Sequence, residues 1–560
     1  MPEFTLDAYA ARSCPLKVHH SFHPGLVRPE PAVGSGRLPG TADFSTSVHA
    51  AILGGTASVA DLRGLVREPG EAQEAACLAA MAEGTAVIIG GLLPRDWAAH
   101  RAGRPDLLVR DPAGGYHPGM IRYHRVVDAR RDDLPFTYSE LTDLPTRVRT
   151  TGWRYRWHWR WNNSLQLAHL WRLLCATGNQ AASGPWGFVI GNDDVGEHGM
   201  RATWLDLAEP AAPPAPEQVT LTVDAVDGQA PPVSALDRYD HEFALRVRLA
   251  EQAAAAGPDD PPLVRPVVSY ECTYCAWWPV CRAFLDDDDL SLRINKSPLD
   301  VHEIRVLREA GVTTVHQLAA TDVDALLPAY LPRVAHRAGA EDRLRLAQRR
   351  SRLLLDGVEL QRTTSGPIDL PAAPLEIDVD VETSREDRVY LWGFWVSDGD
   401  GSGEYREFSS FTDLDDAGER ALARQAMAWL RDVVRDTEAL VFHYSDYEVV
   451  RLARLADADD EVMQWALGFA RDRFRDLFTT VRQHFFGTNG LGLKVVASAG
   501  ADFHWRDEDP GGLNSMRWFE DAVHGPSAEL REQARTRVLQ YNEDDVRATW
   551  QLRRWLRALT

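Results

Sequence analysis

Two stretches of this 560-residue chain carry carboxylates at spacings that could hold a divalent cation. The first is LEIDVDVE, residues 375–382. Its strict alternation puts Leu375, Ile377, Val379 and Val381 on one face of a strand, and Glu376, Asp378, Asp380 and Glu382 on the other. Four like charges on one strand face repel and need compensation. Water would supply it on a solvated edge strand. Mg2+ or Mn2+ would supply it at a metal site, because hard cations take carboxylate oxygens. The second stretch, VLQYNEDDVRATWQL (538–552), reads as helix. Its apolar stripe runs Val538, Tyr541, Ala548 and Leu552, and the slot four residues after Tyr541 holds Asp545. A charge on a core-facing stripe is rarely buried unpaired. Acids from a strand and a distant helix that converge on one or two ions account for both stretches. Paired ions stabilise both the attacking and the leaving oxygen of a phosphoryl displacement.

A third element fits between them. ALVFHYSDYEVVRLARL (439–455) reads as strand, turn and helix, with His443, Asp446 and Glu448 at the strand end or helix start. Sites in α/β folds form at such carboxyl ends of strands. Asp446 is expected as the helix N-cap and Glu448 as the ligand. Asp544 points elsewhere on the helix and is left out of the set.

Taken together, DVE at 380–382, HYSDYE at 443–448 and YNEDD at 541–545 resemble the motif set of the DEDD exonucleases, which have an RNase H-like fold. The Tyr-x-x-x-Asp spacing resembles the tyrosine-bearing branch, and the likeness extends over about 370–560, through RDLFTTVRQHF, GLGLKVVASAG and GLNSMRWFEDA. The resemblance implies metal-dependent 3′→5′ hydrolysis of a nucleic-acid strand. In it Asp380, Glu382, Glu448 and Asp545 hold two Mg2+ or Mn2+ ions, and Tyr541 orients or helps deprotonate the attacking water. One departure is that the family's second motif usually ends in Asp, where this chain has Glu448.

The six cysteines include a C-x2-C-x5-C cluster, Cys272, Cys275 and Cys281, in ECTYCAWWPVCRAF. Clustered cysteines of a cytosolic chain point to metal rather than disulfides. Three thiolates leave a four-cysteine site one ligand short, and Cys14 is the natural fourth; Cys77 and Cys175 sit in apolar helical patterns as structural thiols. Spacing alone leaves zinc and an iron–sulfur cluster both open.

One early cysteine followed by a late C-x2-C-x5-C resembles the iron–sulfur RecB-family nucleases, in which a [4Fe–4S] cluster clips together the ends of a PD-(D/E)xK domain. The likeness covers roughly 1–285. GRPDLLVRD supplies the first acid as Asp106, GGYHPGMIRYHR (114–125) resembles the strand that carries acid-x-Lys, and NNSLQLAHLWRLL resembles the helix that carries a glutamine, here Gln166. Met120 stands in place of the acid and Arg122 in place of the lysine. Methionine does not ligate Mg2+, and arginine stays protonated, although it pairs with phosphate. No lysine lies between Lys17 and Lys296, and the only other lysine is Lys494. Asp128 is an acid that could substitute structurally. The domain reads as a degenerate nuclease, Asp106, Arg122 and Gln166 its remnant site, kept for binding DNA, with a structural cluster.

The remaining elements are expected to position these groups. Residues 297–362 read as helical; SPLDVHEIRVLREAGVTTVHQLA resembles helix-hairpin-helix modules, whose N–H groups meet phosphate, and a packing connector is the equal alternative. AEPAAPPAPEQ (208–218), AAAAGPDDPP (253–262) and TTSGPIDLPAAP (363–374) read as connectors, and DDDD (286–289) as a solvated turn. If GWRYRWHWRWNN (152–163) is a strand, it separates an aromatic face from a basic one. A formal net charge of −21 argues against a nonspecific polyanion binder, although a local Arg-rich groove or bound metal overrides the average. No apolar run approaches the ~18 residues of a membrane span, and the N-terminus has no signal-peptide pattern, so a cytoplasmic protein is expected.

The sequence thus reads as an α/β multidomain chain: a RecB-like PD-(D/E)xK domain (1–285), a helical connector (297–362) and an RNase H-like exonuclease domain (370–560). The expected activity is 3′→5′ exonucleolytic hydrolysis, with DNA favoured over RNA by analogy with the RecB-like part. An accessory nucleic-acid-binding role in repair or defence, with a weak or idle site, is the alternative.

Overall fold

The computed structural model describes residues 3–29, 41–55, 58–129, 133–193, 200–213, 232–294, 296, 299–385, 387–397, 402–508 and 511–560. The chain divides into two units, Met1–Gln348 and Arg349–Thr560. Part of the connector expected at 208–218, and the first residues of the one expected from 297, lie outside the described residues. No described helix is long and apolar enough to cross a membrane.

The first unit is built on a mixed eight-stranded sheet. Its strands are β1 (Val59–Asp61), β2 (Val87–Ile89), β3 (Leu107–Arg110), β4 (Tyr116–Arg122), β5 (Phe136–Glu140), β6 (Val148–Thr150), β7 (Trp186–Gly191) and β8 (Arg201–Asp206), in the order β1-β2-β3-β4-β7-β8-β5-β6. The pairs β1/β2 and β4/β7 are parallel and the others antiparallel. Period-two alternation explains its two dry faces. Ile88, Leu108, Met120 and Val189 pack against Leu167, Leu170 and Leu174 of helix α1 (Trp157–Ala176), while Val87, Val109, Phe188 and Ile190 pack against Val48 and Ile52.

Helix α1 corrects the reading of 152–163 as a strand. Only Trp153–Tyr155 is extended; Arg156 is the N-cap and the helix begins at Trp157. The helical period of LQLAHLWRLL continues backward through the alternating stretch, because extending a formed helix is far easier than nucleating a new element.

Two further expectations in this unit change. DDDD is not simply solvated: Asp289 is fully buried, caps Ser291 and receives Arg308 Nη2 at 2.9 Å, while Asp288 accepts His316 Nδ1 at 2.6 Å. The hairpin before helix α2 (Val315–Ala320) has its N–H groups engaged: those of Thr313 and Thr314 reach Gln317 Oε1 at 2.7 and 3.2 Å.

The second unit begins inside helix α3 (Ala340–Leu355), earlier than the expected start at 370. Residues 360–362, expected as helix, form a strand antiparallel to 485–487. The stretch 363–374 is irregular but anchored by the buried Ile368. The central sheet has five strands: β9 (Leu375–Thr383), β10 (Val389–Ser397), β11 (Gly403–Ser409), β12 (Ala439–His443) and β13 (Phe474–Asp476), in the order β11-β10-β9-β12-β13. The acidic strand β9 is therefore central, antiparallel to β10 and parallel to β12, and not a solvated edge.

Each face of β9 meets a different layer. Ile377, Val379 and Val381 pack on helices α4 (Asp416–Val433), α5 (Tyr447–Leu455) and α6 (Glu461–Arg473). On α4, Leu422, Ala423, Ala426, Met427 and Leu430 recur at helical spacing and are buried; each large apolar side chain so buried contributes roughly 1.5–3 kcal/mol. The acidic face meets α9 (Ala528–Ala558), joined by α7 (Leu493–Ala499) and α8 (Gly512–His524). Helix α9 starts at the Ser527 cap, which accepts Leu530 N–H, and it buries the predicted stripe Val538, Tyr541, Ala548 and Leu552 together with Asp545.

Candidate metal centre

The four acids of β9 have separate fates. Glu376 and Asp378 are neutralised by α9: Arg553 Nε and Nη2 reach Asp378 Oδ1 and Oδ2 at 3.1 and 2.7 Å, and Arg557 Nη1 and Nη2 reach Glu376 Oε2 and Oε1 at 2.9 and 2.6 Å. Arg553 also bonds Glu376. Among the described residues no arginine pairs with Asp380 or Glu382; instead they meet Asp545, with one oxygen from each carboxylate within 4.8 Å of the others.

Hydrogen bonds hold each of the three in place. Ser515 Oγ donates to Glu382 Oε2 at 2.5 Å and is itself in contact with the Tyr390 hydroxyl at 3.1 Å. Asn542 Nδ2 donates to Asp380 Oδ2 at 2.7 Å, and its Oδ1 accepts from the Tyr405 hydroxyl at 2.8 Å. The residue paired with Asp380 on β10 is Gly393, where a Cβ would lie 1.7 Å from Asn542 Oδ1, so only glycine lets the amide lie over the strand. Trp505 Nε1 and Lys494 Nζ donate to Asp545 Oδ1 at 2.6 and 3.3 Å.

Glu448 enters from α5. The turn after β12 passes through Ser445 at φ 89°, and this tight reversal brings Glu448 inward. Glu448 is buried, and its Oε2 has no hydrogen-bond partner: His443 Nδ1 lies 3.5 Å away but is bonded to the Ser445 carbonyl. Asp446 holds the N-cap position with an exposed side chain and no capping bond, so the cap expected of it is absent. Asp544 faces away, bonded to Arg506 N–H and Nε at 2.9 and 2.8 Å.

The electrostatics follow from this crowding. Burial, then the charges of Asp545, Glu382 and Glu448, hold Asp380 well above the usual carboxylate range. Burial and then Asp545 push Glu382 up to about 8. Burial raises Glu448 too, with His443 opposing. Burial and Asp545 raise the Tyr541 phenol, which stays protonated. The converging set of Asp380, Glu382 and Asp545 suits a hard divalent cation, being carboxylate oxygens only and mutually repelling; Glu448, expected as a fourth ligand, is not part of this group, although its buried Oε2 has no hydrogen-bond partner.

Sequence reasoning missed Lys494, Asn542, Gly393, Ser515 and Trp505. Lysine scarcity marks the first, and the second adjoins Tyr541; the others carry no local signal.

In the first unit, Asp106, Arg122 and Gln166 come together. Arg122 Nη1 donates to Asp106 Oδ2 at 2.9 Å and Nη2 to Gln166 Oε1 at 3.2 Å; Nη2 also lies 2.9 Å from Met120 Sδ. Asp128 does not join them and pairs with Arg156 at 3.1 Å. Cys14, Cys272, Cys275 and Cys281 line one cavity with Trp277 and Trp278, although Cys14 starts a short helix some 260 residues earlier in the chain. Burial and neighbouring thiols push Cys14 up to about 11 and Cys281 to about 12. A hydrogen-bond chain ends on Cys281. Leu263 N–H donates to His19 Nε2 at 3.3 Å, so His19 Nδ1 is the donor to His20 Nδ1 at 3.1 Å, and His20 Nε2–H then donates to Cys281 Sγ at 3.3 Å. Cys77 is fully buried and Cys175 partly so.

With this geometry established, comparison with known proteins adds one match: the family model of the RNase H superfamily covers residues 378–557, from Asp378 on β9 nearly to the end of α9. No curated protein and no solved structure matches the chain significantly. An RNase H superfamily domain with a candidate acidic metal site suggests a nuclease, and the domain implies nucleic-acid binding.

Proposed function

We propose that the chain is a Mg2+- or Mn2+-dependent 3′→5′ exonuclease that hydrolyses DNA through its carboxyl-terminal unit. The observation that carries this reading is the convergence of Asp380, Glu382 and Asp545 one helical turn from Tyr541, within the RNase H superfamily match. These carboxylates and Glu448, whose buried Oε2 is unsatisfied, would hold two cations. Such ions, when bound, activate water and neutralise charge on a transferring phosphoryl group. Ser515, Asn542 and Trp505 hold the carboxylates in position, so little reorganisation is left to the reaction. Tyr541, one helical turn from Asp545, would orient or help deprotonate the attacking water.

DNA is proposed as the polymer because residues 1–285 resemble RecB-family nucleases. That unit is proposed to bind without cleaving: Arg122 sits where a divalent cation would need Asp106, and it ties Asp106 to Gln166. A [4Fe–4S] cluster is proposed at the four cysteines, with zinc the alternative. No three of their sulfurs approach within 4.8 Å of one another among the described residues. A single zinc ion with Zn–S bonds of about 2.3 Å would draw its sulfurs to roughly 3.8 Å.

The test is degradation of 3′-labelled single- and double-stranded DNA and RNA with and without Mn2+. Metal-dependent shortening of DNA that Asp380→Ala plus Asp545→Ala abolishes supports the reading; unchanged degradation refutes the site. Broad absorbance near ~400 nm with iron and sulfide supports the cluster, and colourless protein with stoichiometric zinc refutes it.

A further inference from the structure

We infer that Lys494 is a positioning residue of the proposed nuclease site, acting through Tyr541. The inference rests on the nuclease reading and extends it to a residue outside the acidic set.

Lys494 Nζ lies 2.8 Å from the Tyr541 hydroxyl and 3.3 Å from Asp545 Oδ1. An ammonium has three hydrogens and no lone pair, so the phenol oxygen must be the acceptor. Tyr541 has a single hydroxyl hydrogen. With its acceptor side turned to Lys494, that hydrogen is directed away from the ammonium. Without Lys494 the hydroxyl could rotate and accept instead of donate. Lys494 is itself held between two rings, 4.7 Å from the Tyr541 centroid and 5.2 Å from that of Trp505. These contacts fix the ammonium without consuming its hydrogens.

The residue type adds a second observation. Of 61 basic residues, only Lys17, Lys296 and Lys494 are lysines. At position 494 the lysine meets two acceptors, the Tyr541 hydroxyl and Asp545 Oδ1, from one small centre. A guanidinium is a planar fork suited to two parallel acceptors and would not bond a phenol and a carboxylate in this way.

The experiment is a double-mutant cycle on the full-length protein, with Mn2+ and 3′-labelled single-stranded DNA. The variants are Lys494→Met, Tyr541→Phe and the pair, with Lys494→Gln as a variant that keeps N–H donors. Lys494→Met is expected to lower kcat at least about tenfold with little change in KM, because orientation is lost but binding is not. The pair should be about as slow as Tyr541→Phe alone, since the lysine acts through the tyrosine. Lys494→Gln should be faster than Lys494→Met, and Mn2+ binding, read by the free-ion EPR signal, should survive in all of them. Losses that multiply in the pair, parental kcat in Lys494→Met, Lys494→Gln no faster than Lys494→Met, or lost Mn2+ binding each overturn the inference while leaving the nuclease reading intact. A parent protein that leaves DNA intact overturns the nuclease reading and this inference with it.

Discussion

Arg553 and Asp378 form a fully buried two-pronged ion pair, one strand step from the carboxylates that converge on the candidate metal centre. Half of the acidic face of β9 is therefore structural. The geometry is periodic: Arg553 and Arg557, four residues apart on one face of α9, lie over Asp378 and Glu376, two residues apart on β9. A helical step of four residues is about 6 Å and a strand step of two about 6.6 Å, so the two ladders stay in register. Removing one partner of a buried pair leaves an uncompensated charge. Arg553→Ala is expected to destabilise the carboxyl-terminal unit by about 3–5 kcal/mol in urea unfolding, and Asp378→Leu with Arg553→Met to recover most of that loss. A change of less than about 1 kcal/mol for Arg553→Ala would contradict the assignment.

Gly393 gives a second prediction. In Gly393→Ala the new Cβ displaces the Asn542 amide and frees Asp380 from its hydrogen bond. Overpacking of this kind typically destabilises by about 1–3 kcal/mol, and Mn2+ affinity should fall with it. Adding Asn542→Ala removes the clash, so the double variant should melt above Gly393→Ala alone. If it melts lower, the amide is not what requires glycine.

A pH dependence follows from the raised carboxyls. Glu382 binds its proton more tightly folded than unfolded, being pushed up to about 8 by burial and Asp545. Its contribution to stability is present below the ordinary Glu range near 4.5 and is withdrawn as pH rises toward about 8. The metal-free carboxyl-terminal unit should therefore lose stability across that window. Mg2+ or Mn2+ should restore more at the alkaline end, by about 2.7 kcal/mol at a hundredfold excess over Kd, and should release protons on binding. Calorimetry in two buffers of different ionisation enthalpy reads both. A stabilisation by metal that is equal at pH 5 and pH 8 would contradict the cluster's electrostatics.

At the cysteine cavity, Cys281→Ser is expected to lower the unfolding temperature of the amino-terminal unit, because the cavity joins Cys14 to Cys272–Cys281 across the length of that unit. A strong chelator should do the same to the parent protein and nothing further to the variant. Equal melting of parent and variant, with and without chelator, would show that no metal group ties these segments.

The sequence made β9 and α9 legible because their periods, two and 3.6, are uninterrupted, and because Asp545 breaks an apolar stripe at one position. It also placed Asp106, Arg122 and Gln166, which meet in space, and the four cysteines that share a cavity. The split of the acidic face was not drawn, although Arg553 and Arg557 continue the four-residue spacing from Asp545. Ser515 and Trp505 were beyond reach, since they come from segments whose approach to the site is set by tertiary packing alone. The alternation at 152–163, weighed as a strand, is extended only at Trp153–Tyr155, because the rest of it is taken up by helix α1 from Trp157. Asp289 failed because a run of acids looks solvated until its arginine, Arg308, is brought alongside by the fold.

Asp380, Glu382 and Asp545 are proposed to form a working metal centre. The most direct measurement is Mn2+-dependent shortening of a 3′-labelled DNA strand by the parent protein and by Asp545→Asn, which keeps size and packing but removes the charge. Stepwise 3′ shortening by the parent only with metal present, and a loss of at least about a hundredfold in Asp545→Asn, are expected. Shortening that persists at the parental rate in Asp545→Asn, or that proceeds in the presence of excess chelator, would contradict the proposal.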